Sequence, residues 1–449
     1  MPESHIDRKA SSQFTKKRGF QLFLTLPILS WALYDLANTI FSSNMVTIFF
    51  PFYLQEAVGD SERMNQIAST FISYANAASS LLLVIFTPLF GVLIDRTGKK
   101  KRYITWFTLI CVFCTLLMGL IAGAGISGTV NGLSLSLLLV ILLFVIASFF
   151  YSSGLVFYDT ILADLGTKET IPVISGFGIA VGYVGTIVGL SVYPFVGEDF
   201  HRAFIPTALL FLLFSLPLMI GYKEAPFAGR GNEAEKKSFF SGYKEIIETV
   251  KEIRLYRPAF LFMLTYFFLN DSISTAIAMM AVYAKAVIGF SSGEFILLYL
   301  VSTFACIIGS FIFGYVTKTV GAKKAVTYVG ILLIIALALA VFAVASWIFW
   351  ITGALFGVAL GACWVTSRTL IIELTPPHKR GQFFGLFAFS GKVSSVIGPL
   401  LYGSITWIFA DWGNTASRMA LGSLMLLAIV GLFIHRGVKS PPESQHDID

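Results

Sequence analysis

The stretch Gly91-Val92-Leu93-Ile94-Asp95-Arg96-Thr97-Gly98-Lys99-Lys100-Lys101 lies between two apolar runs, each long enough to cross a bilayer. A short segment with glycines at both ends and a block of cations cannot reside in hydrocarbon, so it reads as a tight turn at the membrane surface. The same skeleton returns at Gly314-Tyr315-Val316-Thr317-Lys318-Thr319-Val320-Gly321-Ala322-Lys323-Lys324, again between apolar runs. A repeat on this scale in so apolar a chain points to a carrier built from two related halves.

The composition agrees. Of 449 residues, 56% are hydrophobic and 13% charged, and the mean hydropathy of +0.80 excludes an ordinary soluble globule. A crossing takes about 20 apolar residues, so twelve crossings need roughly 240 and fit the length. Apolar runs predict spans at 24–54, 67–94, 103–125, 133–163, 173–195 and 202–222, then at 256–284, 293–317, 324–346, 347–374, 382–410 and 415–435. The expected organisation is a tail (1–23), a six-helix bundle (24–222), a linker (223–255), a second six-helix bundle (256–435) and a tail (436–449). Within the linker, Tyr243, Ile246, Ile247, Val250 and Ile253 recur at helical spacing opposite Lys244, Glu245, Glu248, Lys251 and Glu252. That is the pattern of an amphipathic helix lying on a membrane surface.

The net charge of +7 could suggest nucleic acid. The distribution argues against it. Arg63, Arg202, Lys285 and Arg418 fall at the outer ends of spans and Arg368 and Lys392 within spans, while the other lysines and arginines gather in segments that face one side. The positive-inside rule then puts both termini in the cytoplasm of a multi-pass integral membrane protein, in the inner or plasma membrane if the source is prokaryotic. Arg8, Lys9, Lys16, Lys17 and Arg18 precede the first apolar run, which continues past residue 50 without a small-residue cleavage site, so it reads as a spanning helix. Cys111, Cys114, Cys306 and Cys363 all lie in apolar runs; Cys111 and Cys114 have half of a zinc spacing but no second pair or nearby histidine. No metal or cofactor is expected. Gly289-Phe290-Ser291-Ser292-Gly293 matches a nucleophile-elbow pattern but follows a helix and has no histidine placed as base, and no phosphate-binding G-x-x-x-x-G-K-[ST] run occurs. The chain is not expected to be an enzyme or an ATP-driven pump.

The repeat extends beyond the turn. A shift of 209 residues aligns Gly176, Gly182 and Gly189 with Gly385, Gly391 and Gly398, Asp164 with Glu373, and Asp159 with Arg368. A shift of 232 superposes Tyr34 and Asn38 on Tyr266 and Asn270. Glycines at these spacings let helices approach closely and slide.

Gly91-x-x-x-Asp95-Arg96-x-Gly98-Lys99-Lys100-Lys101 resembles the signature loop between spans two and three of the major facilitator superfamily. Trp31-Ala32-Leu33-Tyr34-Asp35-Leu36-Ala37-Asn38, Ser175-Gly176-Phe177-Gly178 and Phe383-Phe384-Gly385-Leu386-Phe387-Ala388-Phe389-Ser390-Gly391-Lys392 narrow the resemblance to its vacuole-effluxer-like branch, related to autophagy protein twenty-two of fungi. The resemblance implies an all-α integral membrane fold of twelve transmembrane helices in two pseudo-symmetric six-helix bundles, working by alternating access. It also implies that spans one, four, seven and ten line the cavity and, from the fungal members, that amino acids are released. The second copy of the loop departs from the pattern, with Lys318 in place of Asp95.

An ionised side chain at mid-span costs about 2.5–3.5 kcal/mol on insertion scales, so each needs a reason. Asp35 with Asn38 one turn on, Asp271 with its neighbour Asn270, Asp159, Arg368 and Lys392 all lie within predicted spans. Carboxylates and cations in one set suit a zwitterion, cations taking its carboxylate and a carboxylate its ammonium; salt bridges between helices are the alternative. Tyr34 and Tyr266 add hydroxyls or stacking. Asp35 is the first choice for a coupling proton. The five histidines read as tail or loop residues, which argues against a histidine proton relay. In the signature loop, Gly91, Asp95, Arg96 and Gly98 are expected to gate the inner side, Asp95 accepting from a helix N-terminus or Arg96. The lysines and arginine at 99–102 are expected to fix topology.

The sequence therefore predicts a secondary active transporter of a small polar metabolite, amino acids first, with protons as candidate co-substrate and efflux as the expected direction. The partners expected are a small-molecule substrate and membrane lipids, with no nucleic acid, and the chain is expected to work as a monomer. The alternatives are a facilitator or efflux carrier for another organic ion or amphipathic compound, and a membrane sensor that binds without moving cargo.

Overall fold

A computed structural model describes residues 23–59, 62–126, 128–130, 133–166, 171–197, 199–224, 256–375 and 380–439. The amphipathic helix expected in the linker lies outside these residues. By its contacts the chain falls into two units: residues 1–50 with 86–241, and residues 51–85 with 242–449.

Unit 1 opens with α1 (Leu26–Phe41), whose first turn holds Pro27, a residue that fits where an amide would lack a partner anyway. The helix widens into a π turn, Ser42–Ile48. Asn44 fixes that turn, its Nδ2 donating to Gly189 O at 2.9 Å and Thr207 Oγ1 at 2.9 Å. The chain leaves unit 1 in α2 (Phe49–Val58) and returns in the latter part of α3 (Glu62–Thr97). Next come α4 (Lys100–Ala124), a two-stranded antiparallel hairpin pairing Thr129 with Ser134, and α5 (Leu135–Ile161). The unit closes with α6 (Ile171–Leu190), the single turn α7 (Tyr193–Val196) and α8 (Phe204–Gly221). Glycines on α6 set how closely it meets α1: a methyl at Gly178 would strike the Trp31 indole, and one at Gly185 the Leu36 carbonyl.

Unit 2 contains α9 (Arg257–Tyr283), α10 (Ser292–Val320), α11 (Ala322–Phe342), α12 (Ser346–Leu374), α13 (Arg380–Ile408) and α14 (Asn414–His435). Ser291 and Glu294 form a reciprocal capping box at the start of α10. Gly357 and Gly361 on α12 press against the carbonyls of Ser302 and Cys306 on α10. Residues 51–85 join this unit because their polar side chains bond within it. Thr70 Oγ1 is 2.9 Å from Thr406 Oγ1, Ser417 Oγ donates to Gln66 Oε1 at 2.9 Å, and Gln55 Nε2 donates to Val282 O at 3.4 Å.

Among the described residues, ten helices are long and apolar enough to cross a membrane. The expected spans one and eleven are helical too. The 16-residue α1 reaches spanning length only by continuing through the π turn into α2, and α13 carries Arg380, Lys392 and several glycines and serines that dilute its apolar character. Large apolar side chains such as Phe195, Phe311, Trp347 and Phe433 are exposed on the helix surfaces, as lipid-facing residues are.

Both turns of the repeated loop depend on glycine. Gly98 has φ +60° and Gly321 φ +85°, in the left-handed region where a Cβ is penalised.

Candidate functional site

In unit 1 the candidate residues gather where α1 faces α5 and α6. Tyr34 is buried, its hydroxyl 2.8 Å from Thr108 Oγ1 on α4. Trp31 stacks on Tyr158 of α5 with ring centroids 4.9 Å apart, and Tyr34 leans on the same ring at 5.3 Å. Gly154 makes room for Tyr34, since a methyl there would stand 3.2 Å from its hydroxyl. Asp35 packs on α6, where a methyl at Gly182 would lie 2.6 Å from Asp35 Oδ2. Asn38 is buried, and neither its Nδ2 nor its Oδ1 has a partner among the described residues. Asp159 is exposed, one residue beyond buried Tyr158.

In unit 2 the corresponding residues are arranged differently. Asn270 Nδ2 donates to Gly391 O at 3.1 Å and to Ser394 Oγ at 2.9 Å, both on α13. Asp271 is fully buried; its Oδ1 accepts from the Gly398 amide at 2.9 Å and from Thr275 Oγ1 at 3.4 Å, while Oδ2 has no partner among the described residues. Two consecutive side chains of α9 thus grip a carbonyl and an amide of α13, on either side of Lys392. Tyr266 packs on Phe387 with centroids 4.1 Å apart. The Arg368 guanidinium lies 5.6 Å from the Trp364 ring centre. Asn38 and Asn270, equivalent by the repeat, therefore differ in chemistry: one amide is unengaged, the other bonds to the neighbouring helix.

Of the gating residues, Gly98 forms the turn described above and Gly91 lies in α3; the side chains of Asp95 and Arg96 lie outside the described residues, as does that of Lys318. Two lysines of this loop make specific contacts with neighbouring helices. Lys100 Nζ pairs with Asp164 Oδ2 at 2.7 Å and donates to Thr160 O at 2.9 Å, tying α4 to the end of α5. Lys101 Nζ donates to Tyr222 O at 2.8 Å and Ile220 O at 3.3 Å, satisfying carbonyls at the end of α8. The second half ends similarly: His435 Nε2 lies 2.9 Å from Lys323 O, joining the end of α14 to the start of α11. His435 therefore corrects the assignment of every histidine to a tail or loop. It is the last residue of a helix, and the end of the apolar run conceals that it is buried.

Sequence reasoning missed Asn44 and Tyr158. Both occur inside apolar runs where a single polar or aromatic residue reads as packing. The signal for Tyr158 was its place beside Asp159, on a helix already expected at the cavity.

Residues 27–441 match the family described as vacuole effluxer Atg22 like. The uncharacterised MFS-type transporter YxiO of Bacillus subtilis is 27% identical over 93% of this chain and 96% of its own length. Autophagy-related protein 22 of Kluyveromyces lactis is 24% identical over 82% of this chain and 80% of its own. Among solved structures, a mutant of the nucleoside transporter NupG superposes with TM-score 0.71 at 13% identity, covering 92% of this chain and 100% of that one. A D-xylose-proton symporter superposes with TM-score 0.67 at 13% identity, covering 92% and 97%. These likenesses establish the major facilitator fold.

Proposed function

The chain belongs to the vacuole effluxer Atg22 like family, and from that premise we propose that this membrane transporter carries amino acids out of a compartment or cell by alternating access. The observation that carries the reading is the presence of intramembrane charge of both signs. Asp35 on α1, Asp159 on α5 and Asp271 on α9 are carboxylates, and Arg368 on α12 and Lys392 on α13 are cations. Each such group is expensive in a bilayer. A zwitterion has use for both signs, its ammonium for the carboxylates and its carboxylate for a guanidinium or ammonium. Tyr34 and Asn38 on α1, and Asn270 and Asp271 on α9, complete the set of residues assigned to the cargo. Efflux rests on the family's description and on the fungal relatives.

Asp35 is the residue we assign to a coupling proton, because it lies mid-span beside Asn38. Gly91, Asp95, Arg96 and Gly98 form the inner gate in this reading. Both termini lie in the cytoplasm, and the chain works as a monomer.

Counterflow tests the cargo. Proteoliposomes preloaded with unlabelled amino acids should accumulate a labelled one from outside, and those preloaded with nucleosides or pentoses should not. Accumulation driven only by nucleosides or pentoses would replace amino acids as the cargo.

A further inference from the structure

In unit 1, among the described residues, the buried side-chain polar atoms without a hydrogen-bond partner are Asn38 Nδ2, Asn38 Oδ1, Ser148 Oγ and Tyr158 Oη. All four belong to α1 and α5. An amide that leaves water without replacement bonds is costly, and natural cores rarely tolerate one with both groups unmet. The contacts between the two helices fix the level at which this occurs. Trp31 and Tyr34 meet Tyr158, Gly154 makes room for the Tyr34 hydroxyl, and Phe41 meets Tyr151 with centroids 4.7 Å apart. Asn38 lies one turn from Tyr34 and one from Phe41, so it stands opposite the stretch between Gly154 and Tyr151. Asp35 lies one turn from Asn38 on α1, beside Gly182 of α6.

A ligand reaching this level would meet a carboxylate, an amide oxygen and an amide N–H2. No lysine or arginine occurs in α1 or α5 to hold an anion there. The carboxylate and the amide oxygen both favour an ammonium group. The amide N–H2, on the same side chain as that oxygen, needs an acceptor close to the ammonium nitrogen. An ammonium and an oxygen on adjacent carbons, as in an α-amino acid, meet both ends of one amide.

We propose that Asn38 reads the free α-amino group of the cargo together with the neighbouring carboxyl oxygen, with Asp35 as counter-charge. This deepens the amino-acid reading and rests on it. It makes Asn38 a specificity-determining residue: amino acids with an acylated nitrogen, or with the amine moved away from the carboxyl, are rejected. Discrimination of this kind is strong because a wrong ligand leaves buried polar groups unpaired.

The test is ligand-induced thermal stabilisation and equilibrium binding with the purified full-length protein in detergent. The common L-amino acids are screened singly, and the strongest is compared with its N-acetyl derivative and its γ-amino isomer. Both analogues should bind at least about tenfold more weakly than the parent. Asn38→Leu, nearly the same size, should weaken the parent at least about tenfold and abolish the preference over the analogues. Its ligand-free Tm should hold or rise, because two unpaired buried atoms are removed. Equal binding of the N-acetyl derivative, or unchanged binding by Asn38→Leu, would overturn the assignment and leave the amino-acid cargo standing. A clear fall in ligand-free Tm would make Asn38 a structural residue and overturn the assignment too. If no amino acid binds at all, the cargo reading and this inference fall together.

Discussion

The Asp271 carboxylate accepts a hydrogen bond from the backbone amide of Gly398 at 2.9 Å, and a methyl group at position 398 would collide with that same oxygen. The glycine is therefore a condition of the contact: α9 and α13 approach closely enough for a side chain to bond to backbone only because one helix lacks a Cβ there.

Gly398→Ala should accordingly lower the Tm of the detergent-solubilised protein, by the equivalent of about 1–3 kcal/mol for overpacking. Gly422 on α14 is the control. Nothing stands within 4 Å of a methyl there, so Gly422→Ala should leave stability unchanged or raise it by about 0.5–1 kcal/mol from helix propensity. Equal Tm values for the two variants would contradict the packing.

On the unit 1 side, Gly182 and Gly185 of α6 predict a graded result. A methyl at 182 meets the Asp35 side chain, which can rotate; a methyl at 185 meets the Leu36 carbonyl, which cannot move without the helix. Gly185→Ala should lower Tm more than Gly182→Ala. Gly182→Ala should instead act mainly on transport, by displacing Asp35. Thermal unfolding and counterflow on both variants check this.

Asn270 donates to Gly391 O, so what replaces its amide nitrogen matters. Asn270→Asp would place an oxygen against that carbonyl and should destabilise the protein more than Asn270→Ala, which only removes the bond. A milder effect of Asp than of Ala would mean that Asn270 does not bond to α13 in the membrane.

At the turn after α3, Lys100 and Asp164 form a partly exposed ion pair. A double-mutant cycle with Lys100→Ala and Asp164→Ala should give a coupling of about 1 kcal/mol or less, weakening as salt is raised. Lys101→Met should cost more than the exposure of the loop suggests, because it also uncovers the last carbonyls of α8.

Much of this was legible in the sequence, for reasons that differ by feature. Spanning helices follow from apolar length alone, and the glycine turns at Gly98 and Gly321 follow from cations that cannot enter hydrocarbon. The glycine repeat identified Gly182, Gly391 and Gly398 as helix-contact positions. It could not say what they face: Asp35 packs on Gly182, whereas Asp271 packs on Gly398, two turns beyond the repeat equivalent of Gly182. Pairing across helices depends on rotation about each axis, which spacing within one helix does not contain. The contacts of Lys100, Lys101 and His435 were hidden for the same reason, since each reaches a backbone carbonyl on another element. The grouping of residues 51–85 with the second half was hidden because sequence adjacency favours the first.

In the proposed mechanism the chain is a proton-coupled carrier in which Asp35 is the coupling carboxylate. This coupling is tested most directly by the flux of labelled amino acids in proteoliposomes, with and without an imposed pH gradient, for wild type and Asp35→Asn. If Asp35 couples protons, flux grows with the gradient in the wild type and ignores it in the variant. Amino-acid flux that responds equally to the gradient in both proteins, or to the gradient in neither, would contradict it.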